Sequence, residues 1–226
     1  MMSAHAKFAA ILLLLTLLLT LAPPLRADGI VVSNDEWMFT NQRIGTDNDA
    51  QFATDIAGWL TGGSGNILIL SNNFGLEDTG LSGLLTTLGY GVTVTSTAPA
   101  SLAGYAAVFV GGAADEAAAW NPFLNAFGLG LATSYNGVTG DIDVSAFQTQ
   151  HPYGPALFAG VNTVYVDNGN NVSIVGLGPN GQVFTDAAGN GLYSAVQTGV
   201  PEPTSLLLLA GPLLALGLKR SRKRAA

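Results

Sequence analysis

Residues 66–71 read NILILS and residues 106–110 read AAVFV. Both runs are continuously apolar, with none of the in–out alternation of a half-exposed strand. Short runs of this kind, bounded by turn formers, are the pattern of strands covered on both faces, as in a parallel sheet packed between helices. The first opens into Ser71-Asn72-Asn73-Phe74-Gly75 and the second stops at Gly111-Gly112.

The flanking segments fit that sheet. Upstream, TDNDAQFATDIAGWL (46–60) places Phe52, Ile56, Trp59 and Leu60 on one helical stripe. Its acidic start suits the helix dipole, Thr46 or Asp47 is the expected cap, and Gly62-Gly63 the expected stop. Gly29–Ser33 reads as a short buried strand leading into Asn34-Asp35-Glu36-Trp37. Downstream, Leu81, Leu84, Leu85 and Leu88 form a second stripe closed by Gly89, Val92–Thr95 alternates like a half-exposed strand, and an alanine-rich helix is expected from about Asp115 to Phe127. Strands alternating with helices require crossover connections, hence a largely parallel sheet with helices on both sides.

After Gly128 the pattern changes to short β runs separated by Gly/Asn turns. Residues 161–166 and 171–175 flank Asp167-Asn168-Gly169-Asn170, which predicts a hairpin. Pro179-Asn180-Gly181 and Gly189-Asn190-Gly191 mark further turns, with strands expected at Gln182–Thr185 and Leu192–Val196. The predicted fold class is α/β, with a β-rich part from about residue 129 sharing the same core.

The helix DNDAQFATDIAGWL, the strand NILILSN and the segment SLAGYAAVFVGG (101–112) together resemble class I glutamine-amidotransferase-like domains of the flavodoxin-like group. His151-Pro152, followed by Leu157-Phe158-Ala159-Gly160-Val161, is similar to a return segment of some relatives. The resemblance covers residues 29–165. Active members of that group use a Cys nucleophile with a His base, and this chain has no Cys, so the resemblance implies the scaffold without the catalysis.

The two ends are of another kind. Lys7 precedes an apolar stretch from Phe8 to Leu21, then Pro23-Pro24 and a small residue at Ala27, which reads as a secretory signal peptide over residues 1–27. At the other end, VPEPTSLLLLAGPLLALGLKRSRKRAA (200–226) combines Val200-Pro201-Glu202-Pro203 with a fourteen-residue apolar run from Ser205 to Leu218 and a basic stop of Lys219, Arg220, Arg222, Lys223 and Arg224. As a helix the run spans about 21 Å, against a hydrocarbon core of roughly 30 Å, and Gly211-Pro212 interrupts it. It is a short transmembrane helix suited to brief retention, with the basic cluster left inside.

This segment resembles the PEP-CTERM sorting signal. The resemblance implies recognition by an exosortase, cleavage near the Pro-Glu-Pro, transient inner-membrane insertion, and a mature form at the cell surface or outside the cell, where such proteins are associated with exopolysaccharide and biofilm. Signal peptidase, exosortase and exopolysaccharide are the expected partners. Pro201 and Pro203 keep the recognition segment extended.

Between these ends lies a module of residues 28–199. Arg43 is its only Lys or Arg, because Lys7 and Arg26 fall in the leader and the other five in the tail. Of fifteen acidic residues only Glu202 lies outside it, so its formal charge is about −13. Nucleic acid, which demands clustered cations, is excluded as a partner. The absence of Cys excludes thiolate catalysis and thiolate metal sites.

Ligands in open parallel sheets gather beyond the carboxyl ends of the strands. That rule makes Asn34, Asp35, Asn72, Asn73, Gly111 and Gly112 the candidate crevice, although the same residue types are ordinary turn formers. Asp47-Asn48-Asp49, Asp141-Ile142-Asp143 and the Asp167–Asn171 loop have oxygen ligands a calcium ion could use, but none follows the EF-hand spacing. They read first as a helix start and turns. His151 is the one histidine of the module, and no G-x-S-x-G elbow presents a serine to it. Trp37, Trp59 and Trp120 read as packing residues. The expectation is a noncatalytic exported protein without cofactor or metal, the alternatives being a secreted hydrolase or a calcium- or glycan-binding module.

Overall fold

The computed structural model describes residues 29–72, 74–112, 116–175 and 181–197. The expected leader (residues 1–27), Asn73, the expected sorting motif Val200–Pro203, and the apolar and basic residues that follow it lie outside the described residues. No helix among the described residues is long and apolar enough to cross a membrane.

Strands β1 (Gly29–Ser33), β2 (Asn66–Leu70), β3 (Gly91–Thr95) and β4 (Ala107–Val110) form the parallel part of a six-stranded sheet. The order is β3-β2-β4-β1-β10-β9, where β9 (Gly181–Thr185) and β10 (Gly191–Val196) are an antiparallel hairpin, and β10 pairs antiparallel with β1. Helix α1 (Asp49–Thr61), the short α2 (Phe74–Glu77) and α3 (Thr79–Thr87) follow β1 and β2, while α4 (Ala117–Leu124) follows β4.

The central strands feed two cores because successive side chains point to opposite faces. Val31, Ile67, Ile69, Ala107 and Phe109 meet Phe52, Ile56 and Leu60 of α1 and Leu81 and Leu85 of α3. Ile30, Val32, Leu68, Leu70, Val108 and Val110 meet Trp120 and Leu124 of α4. We call these the α1 face and the α4 face. On the former, Phe52, Phe158 and Tyr193 cluster with centroids 4.8–5.7 Å apart, Phe52 stacked on Phe158 and edge-to-face with Tyr193. Each such ring contributes about 2–3 kcal/mol by leaving water.

The stops behave as the sequence implies: Gly62 ends α1 in the left-handed region at φ 66°. The cap of α1 does not. Asn48 occupies the cap position without a capping hydrogen bond, because Thr46 and Asp47 turn to Arg43 and the Asn48 side chain turns to another element. By contrast, Asp78 caps α3 through Gly80 N at 2.8 Å.

The hairpin expected around residues 167–170 does not form. Strand β7 (Thr163–Asp167) pairs with β6 (Thr139–Asp143), and β8 (Asn170–Ile174) pairs with β5 (Leu129–Tyr135), both antiparallel. The two pairs are one long ribbon, residues 129–143 against 163–174, folded over the carboxyl end of β1 like a saddle. Asn136 N donates to Gly169 O and Asn168 N to Val138 O, each at 2.8 Å, so the ladder runs through the bend. Leu129, Leu131 and Val172 join the α4-face core, whereas Val164 and Val166 join the α1-face core. Asn168, at φ 60°, makes the turn. Bonds from the turn to the end of β1 hold the two arms apart on opposite faces of the sheet. Two short helices, α5 (Phe147–Gln150) and α6 (Gly154–Leu157), connect β6 to β7.

Candidate functional site at the carboxyl ends of the parallel strands

Helix α1 leaves β1 toward one face and α4 leaves β4 toward the other, so a crevice between the ends of neighbouring parallel strands is expected. The structure brings Asn34, Asp35, Gly111 and Gly112 together there, all buried, with Asn72 exposed at the rim. At the β1 end the saddle fills the space. Asn170 N donates to Asn34 O at 2.9 Å, and a Cβ on Gly169 would overlap that same carbonyl. A Cβ on Gly112 would lie 2.5 Å from Asn170 Oδ1 and 2.9 Å from the carbonyls of Ser33 and Asn34. These glycines allow close approach of the chain to itself.

Asp35 is fully engaged. Its Oδ1 accepts from Glu36 N at 2.7 Å and Trp37 N at 3.2 Å, and its Oδ2 accepts from Asp167 N of the saddle turn. Burial raises its pKa to about 6 despite these donors. Asp35 Oδ2 also completes a series. Along the outer edge of β7, Asn48 Oδ1 accepts from Thr163 N at 3.2 Å, Asp49 Oδ1 from Tyr165 N at 3.1 Å, and Asp35 Oδ2 from Asp167 N. Three side-chain oxygens, two residues apart on β7, stand where a neighbouring strand would supply carbonyls. Burial raises Asp49 to about 7.

One residue beyond Asp35 the pattern reverses. Glu36 reaches toward the β2 end, where its Oε2 accepts from Leu76 N at 3.2 Å and Ser71 Oγ at 3.3 Å, while Oε1 is buried without a partner. Glu116, at the entrance to α4, is equally buried, and its Oε1 accepts from Asn72 N at 3.1 Å. Burial, then the nearby Glu116 carboxylate, raise Glu36 to about 8. Glu36 is therefore an uncharged acid at neutral pH, able to donate a hydrogen bond or a proton. The sequence singled out the Asn34-Asp35-Glu36 turn but not Glu116. An acid placed just past a strand-ending Gly-Gly pair was the available signal.

The remaining candidates are dispersed. Asp47 and Asp141 converge on the Arg43 guanidinium at 2.5 and 3.2 Å, and that group lies 3.8 Å over the Tyr165 ring. The two acidic pairs considered for calcium thus share the module's one cation. Asp143 accepts from Ser145 N at 2.9 Å. His151 Nε2 lies 2.6 Å from Val183 O, with its ring edge-on to Phe184. Its ring nitrogen thus meets the edge of β9. Trp120 is in the core, and Trp59 packs on Tyr153 at 4.7 Å. Among the described residues, no group of three or more His, Cys, Asp or Glu could hold a metal ion.

No protein-family model matches the chain, and no curated protein or solved structure matches it either.

Proposed function

We propose that the chain is an exported, noncatalytic protein of the cell envelope or extracellular matrix, processed at both ends and sorted by an exosortase. The observation that carries this reading is the joint occurrence, in one chain, of an apolar leader and a terminal Pro-Glu-Pro, short apolar run and five-residue basic cluster. The scaffold is read as flavodoxin-like and amidotransferase-like without its thiol. The noncatalytic part is supported by the engagement of the strand-end side chains: Asp35 holds the saddle, Asn48 and Asp49 hold β7, and His151 holds β9. A large negative charge and a surface role associated with exopolysaccharide are compatible, since an acidic module remains soluble and repels its like.

Intact mass of the protein recovered from its host, with and without the exosortase, tests the proposal. Loss of residues after the Pro-Glu-Pro only when the exosortase is present is the expected result. Retention of residues 204–226 in the wild-type host would overturn it. Pro201→Ala with Pro203→Ala is expected to leave uncleaved precursor in the inner membrane.

One observation favours a second reading, a module that binds a divalent cation: Glu36 and Glu116 are buried near each other and Glu36 Oε1 is unpartnered. Calcium preferring the folded state would raise the melting temperature by mass action, and Glu36→Gln would remove that rise. A melting temperature unmoved by calcium disposes of this reading.

A further inference from the structure

The sheet and the ribbon present several outer strand edges, and the chain treats one of them differently. On β9, His151 Nε2 meets Val183 O at 2.6 Å, while Gln150 both donates to Thr185 O and accepts from Thr185 N at 2.9 Å. On β7, Asn48, Asp49 and Asp35 occupy the edge. On β5, Asn121 donates to Leu131 O at 2.9 Å and accepts from Leu131 N at 2.8 Å. Strand β6 carries Asp141 and Asp143, both exposed. Covering groups and like charges are the two usual ways of preventing edge-to-edge pairing.

Among the described residues, strand β3 has neither protection. Gly91 N donates to Gly65 O at 3.2 Å, and Thr95 O accepts from Ser71 N at 3.1 Å. Gly91, Thr93 and Thr95 therefore turn their backbone groups toward β2. By alternation, the N–H and C=O of Val92 and Val94 turn outward. Thr93 is exposed, Val94 is 38% exposed, and Leu88, just after the neighbouring α3, is 44% exposed. No Asp, Glu, Lys or Arg occurs between Asp78 and Asp115, so α3, β3 and β4 form an uncharged sector in a module of about −13.

We propose that β3 is a self-association edge that pairs antiparallel with β3 of a second copy. Charge selects this occupant. A cationic partner finds no carboxylate along β3, and two copies of an acidic module meet without like charges opposed only where both are neutral. A two-fold axis at Thr93 places Val92 opposite Val94 of the other copy. Their outward N–H and C=O groups then pair reciprocally, and the six-stranded sheet continues into its copy. Such a contact is isologous and closed. Thr93 faces its own equivalent across the axis in a non-hydrogen-bonded pair, with Cα atoms about 4.5 Å apart, within disulfide reach.

The absence of Cys makes the test clean. Thr93→Cys in the full chain, purified in mild detergent and oxidised, is expected to give a disulfide-linked dimer as the main product. Thr149→Cys, at an exposed position of α5, is expected to stay monomeric. Val94→Pro added to Thr93→Cys removes an outward donor without touching β2, and should abolish the cross-link with the circular dichroism unchanged. If Val94→Pro unfolds the chain, Val94→Lys places like charges across the axis and should abolish the cross-link in its stead. A monomeric Thr93→Cys protein, equal cross-linking at both positions, survival of the cross-link in a folded Val94 variant, or linkage mainly to other proteins would each overturn the proposal.

Discussion

Asp35 and Glu36 are neighbours in sequence, nearly equal in burial, and serve opposite ends of one crevice. Asp35 receives three backbone N–H groups and ties the saddle to β1. Glu36 receives two donors on one oxygen, has the other unpartnered, and sits near a second acid. Desolvation raises both, but Asp35 reaches about 6 and Glu36 about 8. Donors aimed at a carboxylate favour its charged form, whereas a like charge nearby disfavours it. The β1 end is thus a structural joint built around a charge-accepting group. The β2 end is a buried acid held neutral.

The most direct way to break the joint is to fill it. Gly169→Val puts a side chain into the Asn34 carbonyl, at a place where both backbones are fixed by the ladder. A loss of about 3 kcal/mol or more is expected, read from urea denaturation. A loss below about 1 kcal/mol would mean that the saddle can lift from β1 at little cost.

Isosteric amides sharpen the contrast. Asp35→Asn leaves one oxygen for three donors and turns an amide N–H against another donor, so it should cost about 2–3 kcal/mol. Glu36→Gln keeps the neutral form that the folded protein prefers and removes the unfolded chain's gain on ionising, so it should stabilise the protein at pH 7, by about 3 kcal/mol. Near pH 4, where the unfolded chain also holds the proton, the difference between Glu36→Gln and the wild-type protein should vanish. Equal costs for the two amides at pH 7 would erase the distinction between the ends.

Proton linkage gives a third check. Asp35, Asp49 and Glu36 have folded-state values of about 6, 7 and 8, all above an unfolded value near 4. The folded state therefore binds more protons than the unfolded chain between about pH 4 and pH 8. Stability from these groups is complete below the unfolded value and is lost as pH rises through 6, 7 and 8. The melting temperature should fall across that window, each group losing about 1.4 kcal/mol of stability per unit of pH between the unfolded value and its own folded value. Glu36→Gln should flatten the upper part of the curve. A melting temperature that rises with pH would reverse the assignment of these acids as buried and reluctant to ionise.

The α/β half could be read from sequence because its signals are local: apolar runs, helical stripes, and glycines at their ends. The saddle could not. Asp167-Asn168-Gly169-Asn170 has hairpin chemistry, and locally it does turn. Whether its flanks pair with each other depends on Asn34 and Asp35, more than 130 positions away. The crevice was partly legible for the same reason. Strand ends locate Asn34, Asp35, Gly111 and Gly112, but only the packed fold shows that a distant turn occupies their space and that Glu116 comes near Glu36.

Asn48 offers the finest test of that long-range logic. Its place before α1 suggests a helix cap, yet its Oδ1 accepts from Asn162 N at 3.0 Å and Thr163 N at 3.2 Å and makes no cap bond. Asn48→Ala should cost about 1 kcal/mol, the scale of a lost pair of partly exposed hydrogen bonds. A lost cap would cost about the same, so stability alone cannot separate the two roles. Hydrogen exchange can. The structural role predicts faster exchange at the Thr163 amide with the first turn of α1 unchanged, and near-complete rescue by Asn48→Asp, which keeps the acceptor oxygen. Faster exchange confined to the start of α1 would return Asn48 to the capping role and leave the β7 edge held by Asp35 and Asp49 alone.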